Sequence, residues 1–130
     1  MFAVGTLETS TSQATPYDSV EGVVFSRSRM QRRFEGDLSG EGQLEQLGAR
    51  TPIPGSAGYV ALERVTGELH GRRGSFCLLH TALMSQAGRS LVMQVVPDSG
   101  TGELRNIRGS MELSVDNGVR VYRLVYELGR

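Results

Sequence analysis

The chain has no lysine and no tryptophan, only one cysteine, and zero formal net charge. All fourteen basic residues are arginine, which excludes a lysine Schiff base, a lysine general base and a lysine-bearing phosphate loop. Cys77 by itself closes no intramolecular disulfide and builds no metal cluster, so a reducing, cytoplasmic setting is expected. Fourteen acidic residues balance the fourteen basic ones, leaving no global field to draw the protein to nucleic acid or an anionic membrane. No window approaches the roughly 20 apolar residues of a membrane-spanning helix, and the first residues lack the basic and apolar regions of a secretion signal. A soluble protein with neither nucleic-acid nor membrane partners is expected.

What is present is glycine, seventeen residues of it, with short apolar runs and turn signals every 8 to 12 residues or so. This pattern predicts an all-β sandwich or barrel in one domain over residues 1–130. The predicted strands are Phe2 to Glu8, Val23 to Phe34, Gly42 to Gly48, Gly58 to Leu69, Ser75 to Met84, Ser90 to Val96, Glu103 to Val115 and Val119 to Leu128. Eight antiparallel strands suit closure into a barrel. Thr9 to Ser19 and Ala49 to Ala57, rich in small polar residues or proline, are predicted loops, and Gln43 to Leu47 has a short helix as its alternative.

Two hairpins decide which side chains face inward. Asn117-Gly118 suits a type I′ turn, which needs positive φ at both central residues. With Asp116 opposite Val119, one face pairs Leu113 with Tyr122, Met111 with Leu124, Gly109 with Tyr126 and Ile107 with Leu128. The other face pairs Glu112 with Arg123 and Arg108 with Glu127, so a one-residue slip would exchange an apolar face for a charged one. The second hairpin is predicted to turn at Gly71-Arg72, a type II′ arrangement with His70 facing Arg73. That register sets Gly67 against Phe76, Val65 against Leu78, Glu63 against His80, Ala61 against Ala82 and Tyr59 against Met84. Cys77 falls on the opposite, outer face.

A carboxylate beside an imidazole in an apolar lining is an acid/base pair in outline, and Glu63 with His80 is the candidate. The alternative is that the two satisfy each other's hydrogen bonds, or lie at the rim in water. One histidine and one glutamate fall short of the three ligands a metal site needs, so no metal is expected. Glu103 shares the parity of inward Ile107 and Met111, which brings a third candidate catalytic group to the cavity; alternatively it braces the glycine turn Ser99 to Gly102. That turn leads into a strand and lacks the ending of a phosphate loop. Arg27, Arg29, Arg32 and Arg33, with Phe34 nearby, concentrate positive charge as a nucleic-acid surface would, but with zero net charge they read as a solvated strand paired with acids such as Glu35, Glu41 and Glu45. Val119, Val121 and Val125 lie opposite the tyrosines on what should be a wet exterior, and a homo-oligomer contact is expected there.

Phe34-Glu35-Gly36-Asp37-Leu38-Ser39-Gly40, Gly71-Arg72-Arg73-Gly74-Ser75-Phe76, His80, Val96-Pro97-Asp98-Ser99-Gly100-Thr101-Gly102-Glu103-Leu104 and Tyr122-Arg123-Leu124-Val125-Tyr126-Glu127-Leu128 together resemble a bacterial domain-of-unknown-function family. The resemblance implies an eight-stranded antiparallel barrel similar to plant allene oxide cyclase, a fold used for cyclisation without a cofactor. The expected function is therefore binding of a small apolar or amphipathic ligand, with isomerase or cyclase chemistry and no cofactor if it is an enzyme. Tyr59, Phe76, Leu78, Tyr122 and Tyr126 are the expected wall, and Glu63, His80 and Glu103 the expected polar groups. The rival expectation is a filled barrel that serves as a structural or interaction module.

Overall fold

The computed structural model describes residues 1–10 and 13–129. Its strands are β1 (Phe2–Ser10), β2 (Thr15–Val20), β3 (Val23–Gly36), β4 (Leu38–Arg50), β5 (Ala57–Leu69), β6 (Arg72–Ser85), β7 (Gly88–Val95), β8 (Thr101–Gly102), β9 (Ile107–Asp116) and β10 (Val119–Leu128). Eight of them, in the order β1-β10-β9-β7-β6-β5-β4-β3, form an antiparallel barrel that closes where β1 pairs with β3. Two short strands lie outside it: β2 continues the row of β1 along β3, and β8 continues the row of β7 along β6. Among the described residues no helix is long and apolar enough to cross a membrane.

Alternation explains the strands. In β10, Tyr122, Leu124 and Tyr126 are buried while Arg123, Val125 and Glu127 are exposed. In β6, Phe76, Leu78, His80 and Ala82 are buried between outward neighbours. Period-two burial of this kind fits a pleated wall with one dry face. Inside, Leu38, Leu69, Leu104 and Ile107 are fully buried and close one end of the barrel. Above them the Phe34 and Tyr122 rings meet edge to face at 5.7 Å and 78°, a geometry adding about 0.5–1.5 kcal/mol beyond simple burial. The other end is less filled. Met30, Gln46, Tyr59, Met84 and Leu113 continue the inward parity of their strands but are only half-buried, and Leu91 is exposed. That end loosens because β7 and β9 share only the pairs Met93–Met111 and Gln94–Ser110.

The β9–β10 hairpin has every predicted pair, from Asp116 opposite Val119 to Ile107 opposite Leu128, with Asn117 and Gly118 both at positive φ. The β5–β6 hairpin differs from expectation. Its turn residues are His70 (φ 48°) and Gly71 (φ 80°), with Leu69 opposite Arg72, so the pairing shifts by two and each predicted face is preserved. Val65 then faces Phe76, and Glu63 faces Leu78. His70 accepts this left-handed conformation because its ring is held from outside the hairpin. Its Nδ1 hydrogen-bonds the Tyr126 hydroxyl, and its Nε2 lies 3.6 Å from Asp37 Oδ2.

Two predicted boundaries also change, and between them the predicted strand at Gly42 to Gly48 prevails over its helical alternative. The loop expected over Thr9 to Ser19 contains the end of β1 and most of β2, while Thr11 and Ser12 lie outside the described residues. The alternative helix at Gln43 to Leu47 is strand β4. Glu103 starts no strand: it sits in the turn between β8 and β9, since Leu104 and Ile107 must both reach the core and a tight turn, closed by Ile107 N–H donating to Leu104 O at 3.2 Å, lets them.

Candidate functional site

Glu63 and His80 do meet. They are diagonal neighbours on the inward face of β5 and β6, close enough for long side chains to touch, and His80 Nε2 lies 2.8 Å from Glu63 Oε1. Both are fully buried. A third polar group, not foreseen in the sequence, completes the cluster: Arg32 on β3 is 7% exposed, with Nε 3.8 Å from Glu63 Oε2. Arg32 and Glu63 belong to strands separated by β4 and meet because Gly42, opposite Arg32, has no side chain. A Cβ at Gly42 would stand 2.0 Å from Glu63 Oε2 and 3.1 Å from the Phe34 ring. The legible signal was parity, since Arg32 lies two residues from inward Phe34. Arg27, Arg29 and Arg33 have the other parity and pair with Glu45 or Glu35 on the exterior.

The cluster has unused hydrogen-bonding capacity. Arg32 Nε and Nη1, Glu63 Oε2 and His80 Nδ1 are all buried, and none has a hydrogen-bond partner among the described residues. Buried polar atoms of this kind are paired in the great majority of folded proteins, so four in one cluster call for a cause. Opposite a carboxylate, a neutral imidazole places its proton on Nε2, which leaves Nδ1 as a hydrogen-bond acceptor. Glu63 thus orients His80, and Arg32 supplies the balancing charge that a carboxylate this deep requires.

The other expected site residues are placed differently. Glu103 is exposed on the outer turn, where its Oε1 accepts the Arg73 N–H at 3.1 Å. It braces the turn and does not join the cluster. The Tyr122 hydroxyl accepts the Leu38 N–H at 2.9 Å and faces the carbonyls of Glu35 and Leu38 at 3.0 Å. Burial, the largest influence, pushes the Tyr122 and Tyr126 hydroxyls above the ordinary tyrosine range. With Phe76 and Leu78 these tyrosines belong to the packed core. Tyr59 is half-buried toward the looser end and borders an apolar cleft of about 520 Å³ that neither Glu63 nor His80 touches. Cys77 is on the outer face as expected; burial pushes its thiol up, disfavouring the reactive thiolate. Among the described residues no three potential ligands gather into a metal site.

A family model described as a protein of unknown function, DUF3224, matches residues 3–126. The chain belongs to the DUF3224 family. A crystal structure of a DUF3224 protein of unknown function from Shewanella oneidensis MR-1 is similar to it at 36% identity and a TM-score of 0.89, covering 100% of this chain and 98% of that one. No match was found among curated proteins. The DUF3224 fold is thus an all-β, eight-stranded closed barrel, and the Arg32, Glu63 and His80 cluster lies inside it.

Proposed function

We propose that the barrel binds a small, largely apolar molecule through its looser end, with one polar group of the ligand reaching Arg32, Glu63 and His80. The observation that carries this reading is the set of buried polar atoms in that cluster without hydrogen-bond partners among the described residues: Arg32 Nη1 and His80 Nδ1, together with Arg32 Nε and Glu63 Oε2, which face each other at 3.8 Å, too far for a hydrogen bond. A ligand oxygen or nitrogen would satisfy them, whereas a barrel kept only for packing gains nothing from burying three polar groups. Half-buried Tyr59, Met84 and Leu113 give the ligand an apolar approach. With Glu63 behind it, His80 can take a proton at Nδ1 and return it. That is the chemistry of an isomerisation or cyclisation without a cofactor.

Native mass spectrometry of freshly purified protein should reveal a retained small molecule. Glu63→Gln keeps the side-chain shape and should preserve the circular dichroism spectrum while weakening binding of that molecule by about tenfold or more, one lost charge-assisted hydrogen bond. Unchanged binding would remove Glu63 and His80 from the site.

A second reading has its own support. Phe76, Leu78, Tyr122 and Tyr126 fill the barrel beneath the cluster, as in a module whose interior is only a core. A protein that purifies empty and whose melting temperature no apolar molecule raises would favour it.

A further inference from the structure

The outer wall of the barrel carries an apolar surface separate from the Arg32, Glu63 and His80 cluster, reaching the looser end of the lumen where Tyr59 borders the apolar cleft. Leu47 on β4, Val60 on β5 and Val92 on β7 stand in one row across four strands, with Thr81 of β6 between the last two. In the next row Leu62 faces Leu79, and on the other side Leu83 faces Gly58. The six apolar side chains are 38% to 70% exposed, Leu83 most of all. Glu45, beside Leu62, is the one charged residue in these rows; Ala49, Ser90 and Gln94 complete them.

The valines on β10, where an oligomer contact was expected, form a poorer patch. Val125 lies beside Phe2 and Val121 beside Thr6, but the row between them holds Arg123 paired with Glu112. The Arg123 guanidinium already covers the Phe2 ring, 4.5 Å from its centre.

We propose that the outer face of β4 to β7 is the contact surface of a homodimer, two copies packing these strands together about a two-fold axis. Exposed apolar area there is on the order of 600 Å² per copy, the upper end of what monomers show. Two copies would bury about 1,200 Å², the size at which specific protein contacts become stable. Zero net charge means that a second copy meets no overall repulsion. The face also holds both halves of a self-complementary contact: projecting Leu83 borders the 520 Å³ cleft, whose far wall is Tyr17 and Phe25. A two-fold contact needs such a surface, because each copy presents the same patch to the other.

Sedimentation velocity and light scattering at high micromolar concentration should report twice the chain mass. Leu83→Glu places an unpaired carboxylate in the contact and should raise the dimer dissociation constant at least about a hundredfold. Its side chain is exposed in the single chain, so the circular dichroism spectrum should not change. Val60→Arg provides an independent variant of the same face, and Val119→Glu, on the rival surface, should leave the dimer intact. A monomeric native chain would overturn the proposal, as would a dimer indifferent to both Leu83→Glu and Val60→Arg. Dissociation by Val119→Glu alone would move the contact to β10, and a native monomer captured on this face by a different protein would replace the second copy with that partner.

Discussion

A methyl group at Gly42 would overlap Glu63 Oε2, so this position controls whether the carboxylate can lie between Arg32 and His80. Gly42→Ala should push the Glu63 carboxyl aside and cost about 1–3 kcal/mol, the range for overpacking a filled interior. Urea denaturation will read this as a lower midpoint at unchanged slope. A stability within about 0.5 kcal/mol of the native chain, the scatter of neutral surface changes, would show that the interior gives way easily. Arg32 was hidden in the sequence by residue type: a run of four arginines in seven positions reads as a solvated edge, and long charged side chains are rarely buried without partners. The partner arrives from two strands away, over a glycine, so parity with Phe34 points Arg32 inward while nothing in β3 names what it meets.

At the scale of the elements, the weakest join of the barrel is between β7 and β9, with two paired positions. The backbone amides of Gly88 to Val92 and Glu112 to Asp116 should therefore exchange with deuterium before those of the β4–β5 and β5–β6 ladders, which pair along their whole length. Hydrogen-exchange mass spectrometry will order them, and faster exchange in β5 than in these segments would contradict the expectation. The same contrast explains what could be read beforehand. Asn117-Gly118 sets its register locally, and all the pairs deduced from it are present. The β5–β6 turn uses His70 at positive φ, held by Tyr126 and Asp37, which are remote in sequence; the local rule favoured glycine in first place and put Glu63 directly opposite His80. Facing survived because the error was an even number of residues. Strand β2 has the sequence of a loop because all six of its residues are exposed, leaving no buried face to impose alternation.

For the molecule as a whole, Tyr122 and Tyr126 tie the end of the chain to Leu38 and His70 through hydroxyls that hold their protons more tightly folded than unfolded. The stability this contributes is complete below about pH 10, the ordinary tyrosine value, and is lost as pH rises through the raised native values. Denaturation midpoints should fall above about pH 10 together with tyrosinate absorbance, in addition to the loss that the raised Cys77 thiol begins about one pH unit lower; a midpoint that holds while both hydroxyls ionise would contradict this. The closing of the barrel through β1 also acts on time. Strand β1 pairs with β3 nearby but also with β10, more than a hundred residues later. Contacts that remote slow folding, and on the ribosome they cannot form until the last strand emerges. Until then β1 and β9 present open edges, and the Arg32, Glu63 and His80 cluster remains wet, so the nascent barrel depends on the speed of its own completion to escape aggregation.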